Sequence, residues 1–292
     1  MAVAVIVPLG LALTVGPHSP LLRVAVTLLP LDAVMVNLGF AAPAGSLGAM
    51  ACAGLHLLVC AAIGLHGLTR AWARREARFF PLSELAMDVG LALLPVGAIW
   101  LAASRAGVGL MGFREPIVFF TSAHFHYAGF AAPVIIGATG RWLGEKPRVP
   151  FVIAAAVVCA GVPLTAIGIS TTHAVEVSAA LFLAAGMLVA SGFLVVAARA
   201  AWVHSGAAAT LFVVAGLTLL GTMTLAATFA TTSSAGRGST LDPLVPMPTM
   251  IALHGGGNAF GFALAALVAL TLVDLRRDPP APRDSKDPRT SK

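Results

Sequence analysis

Apolar runs of about twenty residues recur from one end of this chain to the other, and no other feature limits its fold as strongly. A helix needs ~20 such residues to cross the ~30 Å hydrocarbon core of a bilayer. Spans are predicted near residues 2 to 16, 21 to 42, 46 to 69, 83 to 104, 115 to 140, 149 to 171, 174 to 198, 207 to 231 and 247 to 274. The intervening stretches are too short for a separate soluble domain. Composition agrees, because a chain that is 58% hydrophobic and 10% charged cannot cover itself with a charged, water-facing surface. Backbone amides cannot stay unpaired in lipid, and the runs lack the ten-residue alternation of barrel strands. The expected fold is therefore all-α: a polytopic membrane helix bundle of about nine transmembrane helices, or eight if the short first run is not a full span. That first run lacks the basic start and cleavage site of a signal peptide. The bundle is expected over residues 1–274. The proline- and charge-rich residues 275–292 read as a disordered cytoplasmic tail.

Basic residues near helix ends are retained on the cytoplasmic side, which fixes an expected orientation. With nine spans, only Arg105, Arg114 and Arg237 of the 18 Lys and Arg residues fall outside. This predicts a multi-pass protein of the plasma membrane with its C-terminus in the cytoplasm and the lipid bilayer as its main partner. The net charge of +6 is then a topogenic signal. No nucleic acid is expected, since the basic residues are not interleaved with exposed aromatics. Cys52 and Cys60 in one span and Cys159 in another have no paired metal-type spacing and read as small apolar fillers. "GFAAP" occurs at Gly39 and again at Gly129, an echo too faint to define an inverted repeat.

Ionisable groups inside a membrane are costly, about 2.5 to 3.5 kcal/mol for a central charge on insertion scales, so each one is a candidate functional residue. Asp32 lies in the middle of the second span, just after Pro30, where a kink would open a polar space near Asn37. Glu84 and Asp88 lie four apart at the start of the fourth span. Helix-end electrostatics explains Glu84, with Ser83 or Glu84 near the cap, and explains the deeper Asp88 less well. In the fifth span, "FFTSAHFHYAGFAAP" carries His124 and His126 near its midpoint. At 100° per residue these rings point about 200° apart, so they are not a metal pair on one helix face. One is expected to face a cavity and the other a neighbouring helix. In the ninth span, His254 and Asn258 share a face of the glycine-rich "HGGGNAFGFA". The expectation is that Asp32, Asp88, His124 or His126, and His254 with Asn258 converge on one cavity walled by Phe120, Phe125 and Tyr127.

At "HFHYAGF" and "HGGGNAFGFAL" the chain resembles the YndJ-like family of bacterial integral membrane proteins, with its central His-x-His-Tyr-Ala-Gly-Phe and late His-Gly-x-x-Asn-x-x-Gly-Phe. The resemblance covers most of the chain and picks out His124, His126, Tyr127, Gly129, His254, Asn258 and Gly261. It implies a multi-helix membrane fold and no settled chemistry. In general character the chain is also similar to membrane proteins of high-GC actinobacteria, among which small membrane cyclases act on prenylated or epoxidised intermediates.

These residues point first to an intramembrane, cofactor-independent enzyme, a terpenoid cyclase or isomerase that protonates an epoxide or alkene of a lipophilic small-molecule substrate. Such chemistry needs an acid, a base and aromatic faces that stabilise carbocations. Asp32 or Asp88 would be the acid, and His124, His126 or His254 the proton acceptor. Phe120, Phe125, Tyr127 and Asn258 would hold the substrate, with Glu84 and Glu115 at the helix ends. No nucleotide or phosphate motif occurs, and neither a cofactor nor a metal is expected. A proton-coupled transporter is the alternative, because the same Asp and His residues are spread in depth as a pathway would need. A metal or haem protein is a third reading, and a purely structural or accessory membrane protein a fourth.

Overall fold

The structure, a computed structural model, describes residues 1–14, 20–78, 81–232 and 244–274. The tail at 275–292 and most of the connection at 232–246 lie outside the described residues. Nine helices follow one another among the described residues: α1 (Ala2–Leu13), α2 (Pro20–Ala41), α3 (Leu47–Ala73), α4 (Leu82–Ala106), α5 (117–143), α6 (Arg148–Ile169), α7 (His173–Ala201), α8 (Gly206–Thr232) and α9 (Met247–Asp274). Seven of these are long and apolar enough to cross a membrane unbroken. In α5, α-helical turns over Ile117–His124, a π-helical stretch over Phe125–Ala131 and further α-helix over Ala132–Leu143 run end to end. Their joint length, about 40 Å at 1.5 Å per residue, also crosses. The chain is an all-α, multi-pass membrane protein.

Local chemistry sets the boundaries. The Ser46 and Thr172 side chains accept from the Ala49 and Val175 amides and start α3 and α7. Gly107 and Gly144, both left-handed, end α4 and α5. The first helix stops at Leu13, short of the predicted residue 16, and is only about 18 Å long. Its terminal carbonyls are capped from across the bundle: Arg141 donates to Leu13 O, and Arg70 Nη1 donates to Thr14 O at 3.0 Å. Cationic donors at a helix C-terminus satisfy carbonyls that lipid cannot.

The central post of the bundle is the second half of α5. Every residue from 129 to 140 is buried, as expected for a helix that is apolar or small on all sides and therefore has no lipid face. It packs on α4, α6, α7, α9 and α1. Small residues permit these approaches: a Cβ on Gly10 would come within 2.7 Å of the Phe130 ring, and one on Gly90 within 2.8 Å of the Phe130 carbonyl. The other helices pack mainly with their neighbours in sequence, α2 on α3, α3 on α4, α6 on α7, α7 on α8 and α8 on α9. The core runs through all of them.

Candidate functional site

Four side chains from three helices meet near the middle of the bundle. Asp32, roughly halfway along α2, accepts a hydrogen bond at Oδ2 from Nδ1 of His56 on α3, at 2.9 Å. Nε2 of His56 lies 3.1 Å from Nε2 of His126 on α5. Nδ1 of His126 lies 2.8 Å from the Ser122 carbonyl. Cys60, one turn after His56, places Sγ 3.5 Å from His56 Nε2. None of the four side-chain-bearing residues is more than 3% exposed. Asp32 Oδ1 is buried as well and has no hydrogen-bond partner.

The backbone explains why these groups meet. Cys52, His56 and Cys60 repeat every fourth residue and so share one face of α3. Gly39 lets that face close on α2, since a Cβ there would lie 2.9 Å from the Cys52 Cβ. Gly97 on α4 makes room for the His126 ring, which a Cβ would approach to 2.7 Å. The π-helical turn at Phe125 does the rest. The helix changes from α to π at Phe125, and just there the His126 ring meets Ser122 O, which also accepts from the Phe125 amide.

The hydrogen-bond chain fixes its own protons. A carbonyl only accepts, so His126 donates from Nδ1 and offers a lone pair at Nε2. His56 then donates from Nε2 to His126, and its Nδ1 shares one proton with Asp32. Three protons fill three hydrogen bonds, and the unit carries no net charge, whether the last proton sits on the carboxylate or on the ring. Neutrality matters here because an isolated charge at this depth is costly. The two rings lie end to end, with 5.3 Å between centres and 20° between planes, as an N–H···N bond requires.

The expected single cavity is corrected by this arrangement. Of its predicted members, Asp32 and His126 do meet, through His56. Asp88 lies elsewhere, at the end of the bundle that carries the basic residues. It is fully buried against Arg74 and against Arg70, whose Nε is 2.9 Å from Oδ1 without the alignment of a hydrogen bond. Glu84 joins the same network, bonded to Arg70 at 2.7 Å, Arg74 at 3.2 Å and Arg141 at 3.2 Å. Pro81 is the N-cap of α4, which leaves Glu84 in the first turn as the helix-end reading expects, and arginines hold both carboxylates besides. His254 and Asn258 do share a face, but they turn to α8. His254 Nδ1 is 3.0 Å from Thr222 O, and Thr222 Oγ1 donates to Asn258 Oδ1 at 2.8 Å.

His124 and His126 diverge as the helical spacing predicts. His124 is exposed on the bundle surface, edge-on to Phe125, and its electrostatic neighbour is His254. The aromatic wall disperses too. Phe125 packs with Trp100, Val118 and Val162, Tyr127 packs against the main core, and Phe120 contacts Phe119. Glu115 accepts from the Phe119 amide at the exposed start of α5. Asn37 donates to Ala33 O of its own helix and does not face Asp32. His56 went unrecognised in the sequence, and Cys60, read as a filler, touches it. The one available signal was the four-residue spacing of Cys52, His56 and Cys60.

Both motifs of the family resemblance contain π-helical turns, Phe125–Ala131 in α5 and Met250–Gly255 with Gly257–Leu264 in α9. Such turns are rare and occur frequently at functional sites. The sequence profile described as "YndJ-like protein" matches residues 1–262. The chain is 28% identical over 221 residues to the "Uncharacterized membrane protein YndJ" of Bacillus subtilis (strain 168), covering 73% of this chain and 36% of the relative. It thus spans about a third of that protein's length. No solved structure matches. With a profile match running through the first π-helical motif, the buried His126 and most of the second motif, the chain belongs to the YndJ-like family of membrane proteins.

Proposed function

We propose that this protein is an intramembrane enzyme that performs acid–base chemistry on a lipophilic small molecule, of the isomerase or cyclase class. One observation carries the reading: the Asp32–His56–His126 chain is fully buried halfway through the bundle, where a purely structural role would be served by apolar residues at lower cost. Asp32 is the group that exchanges a proton with substrate, since its Oδ1, unlike Oδ2 and the ring nitrogens of His56 and His126, has no hydrogen-bond partner. His56 and His126 hold it in register. The bundle sits in the plasma membrane with the Arg70, Arg74 and Arg141 end and the C-terminus on the cytoplasmic side, in keeping with the distribution of basic residues. Substrate enters from the bilayer, by the groove between α1 and α2 lined by Ala4, Ala33, Val34, Asn37 and Leu38. No nucleic-acid partner belongs to this reading.

The test is conversion. Membranes containing the protein are given an epoxidised prenyl substrate, and products are resolved by mass spectrometry. A new product of unchanged mass that is lost in Asp32→Asn and kept in His124→Ala supports the proposal. Movement of intact substrate across sealed vesicles, with no product, replaces it with proton-coupled transport.

A further inference from the structure

The same cluster has the donor set of a metal centre. His56, Cys60 and His126 each offer one ligand atom, and these atoms lie within 4.8 Å of one another, all buried. We propose that His56 Nε2, Cys60 Sγ and His126 Nε2 bind one divalent, thiophilic transition-metal ion, with Zn²⁺ the best fit. This rests on the site proposed above and deepens it: the ion, held by these three residues, would supply Lewis acidity toward a substrate oxygen, with Asp32 Oδ1 as the base.

Four observations carry the inference. The first is spacing. Ligand bonds of about 2.0–2.1 Å to nitrogen and 2.3 Å to sulfur, at tetrahedral angles, give edges of roughly 3.3 to 3.6 Å. The His56–His126 N···N distance of 3.1 Å and the Cys60–His56 N···S distance of 3.5 Å are close to those edges, the Cys60–His126 edge is within 4.8 Å, and Sγ, also 3.8 Å from His56 Nδ1, would turn toward the Nε2 side on binding. The second is orientation. Metal-binding histidines characteristically donate their other ring N–H to a carboxylate or a backbone carbonyl, which fixes the tautomer. Here His56 Nδ1 meets Asp32 Oδ2 and His126 Nδ1 meets Ser122 O, so both Nε2 atoms are left for an ion.

The third is charge. A Cys60 thiolate and the Asp32 carboxylate together balance a divalent cation, so the loaded cluster is as neutral as the protonated one. Binding exchanges one M²⁺ for two protons, one from the Cys60 thiol and one from the His56–His126 bond. For this the His56–His126 bond would open and the rings would pivot about their anchored Nδ1 atoms, turning both Nε2 lone pairs toward Cys60. The fourth is ligand number. Three protein ligands would leave a fourth coordination position, as in catalytic zinc sites. Asp32 Oδ1, buried and unpartnered, lies beside the same ring. Ligands from two different helices escape the objection to His124 and His126 as a pair, which share one helix.

The experiment uses the full chain, purified in detergent without chelators or a polyhistidine tag. Metal content is measured by mass spectrometry of the digested protein, and the ligand shell by X-ray absorption at the metal edge. About one zinc per chain with mixed sulfur and nitrogen scattering is expected. The content should fall at least tenfold in Cys60→Ser and in His126→Ala, and stay unchanged in His124→Ala. To separate lost binding from lost folding, wild-type protein is stripped and reloaded with Co²⁺, which should produce thiolate-to-cobalt charge-transfer absorption. Wild-type protein that takes up neither Zn²⁺ nor Co²⁺, or Cys60→Ser that retains full metal, overturns the inference. Copper in place of zinc with the same ligands overturns the choice of ion. Zinc binding without substrate conversion leaves the metal site standing and removes the enzymatic reading; conversion by metal-free protein does the reverse.

Discussion

Replacing Gly97 by Ala tests whether the cluster is as tightly held as its distances imply. The added Cβ would lie 2.7 Å from Nδ1 and 2.9 Å from Cε1 of His126, and 3.1 Å from the Phe125 Cβ. Carbon contacts are comfortable at about 3.5–4.0 Å, so the imidazole must retreat by roughly 0.8 Å. That ring is fixed at both ends, by Ser122 O at 2.8 Å and by His56 at 3.1 Å. A displacement of that size stretches one bond past about 3.5 Å, where it no longer counts as a hydrogen bond. A buried polar group left unsatisfied costs about 1–3 kcal/mol, and overpacking a further 1–3 kcal/mol. The expected loss is about 2–6 kcal/mol, read as a clear fall in the thermal unfolding midpoint of detergent-purified protein. Gly54→Ala is the control, because a Cβ there meets nothing within 4 Å. It should be neutral or stabilising by about 0.5–1 kcal/mol from lower backbone entropy. Equal midpoints for the two variants would refute the reasoning.

Asp88→Asn should behave differently from Asp32→Asn. It removes one of the two carboxylates that face the partly buried guanidinium groups of Arg70 and Arg74, and because both keep Glu84 the loss falls below the about 3–5 kcal/mol of a fully buried pair, at about 1–3 kcal/mol. Folded yield, followed by size-exclusion chromatography, falls, while metal content per folded chain is unchanged. Thr222→Val removes the donor to Asn258 and loosens α8 from α9 by about 1 kcal/mol, a small downward shift in unfolding midpoint. A fluorescent reporter fused after residue 292 should mature, as it does only in the cytoplasm, and an alkaline phosphatase fused there should be inactive.

Helix number and position were legible because lipid thickness and backbone satisfaction leave a sequence few options, and α2 to α9 begin and end within a few residues of their predicted limits. Asp32 was legible for the same reason: no helix end excuses a carboxylate at that depth. The divergence of His124 from His126 followed from helical geometry. His56 was not legible, since a single histidine in an apolar run announces nothing, and its partners lie 24 and 70 residues away. Asp88 was misplaced because Arg70 and Arg74 were read only as topology signals, although they sit 18 and 14 residues upstream of it, at the facing end of α3. The pairing of His254 with Thr222 depends on which helices are neighbours, and that information is not local to either segment.

The central claim is that Asp32, His56 and His126 act as one unit across three helices. A double-mutant cycle on thermal or denaturant stability tests it most directly, with Asp32→Asn, His126→Gln and the combination. Asp32 and His126 are joined through the His56 ring, so their effects should be coupled by about 1 kcal/mol or more, the double variant losing less than the two single losses together. Losses that add within about 0.3–0.5 kcal/mol would show the two residues to be independent and contradict the account.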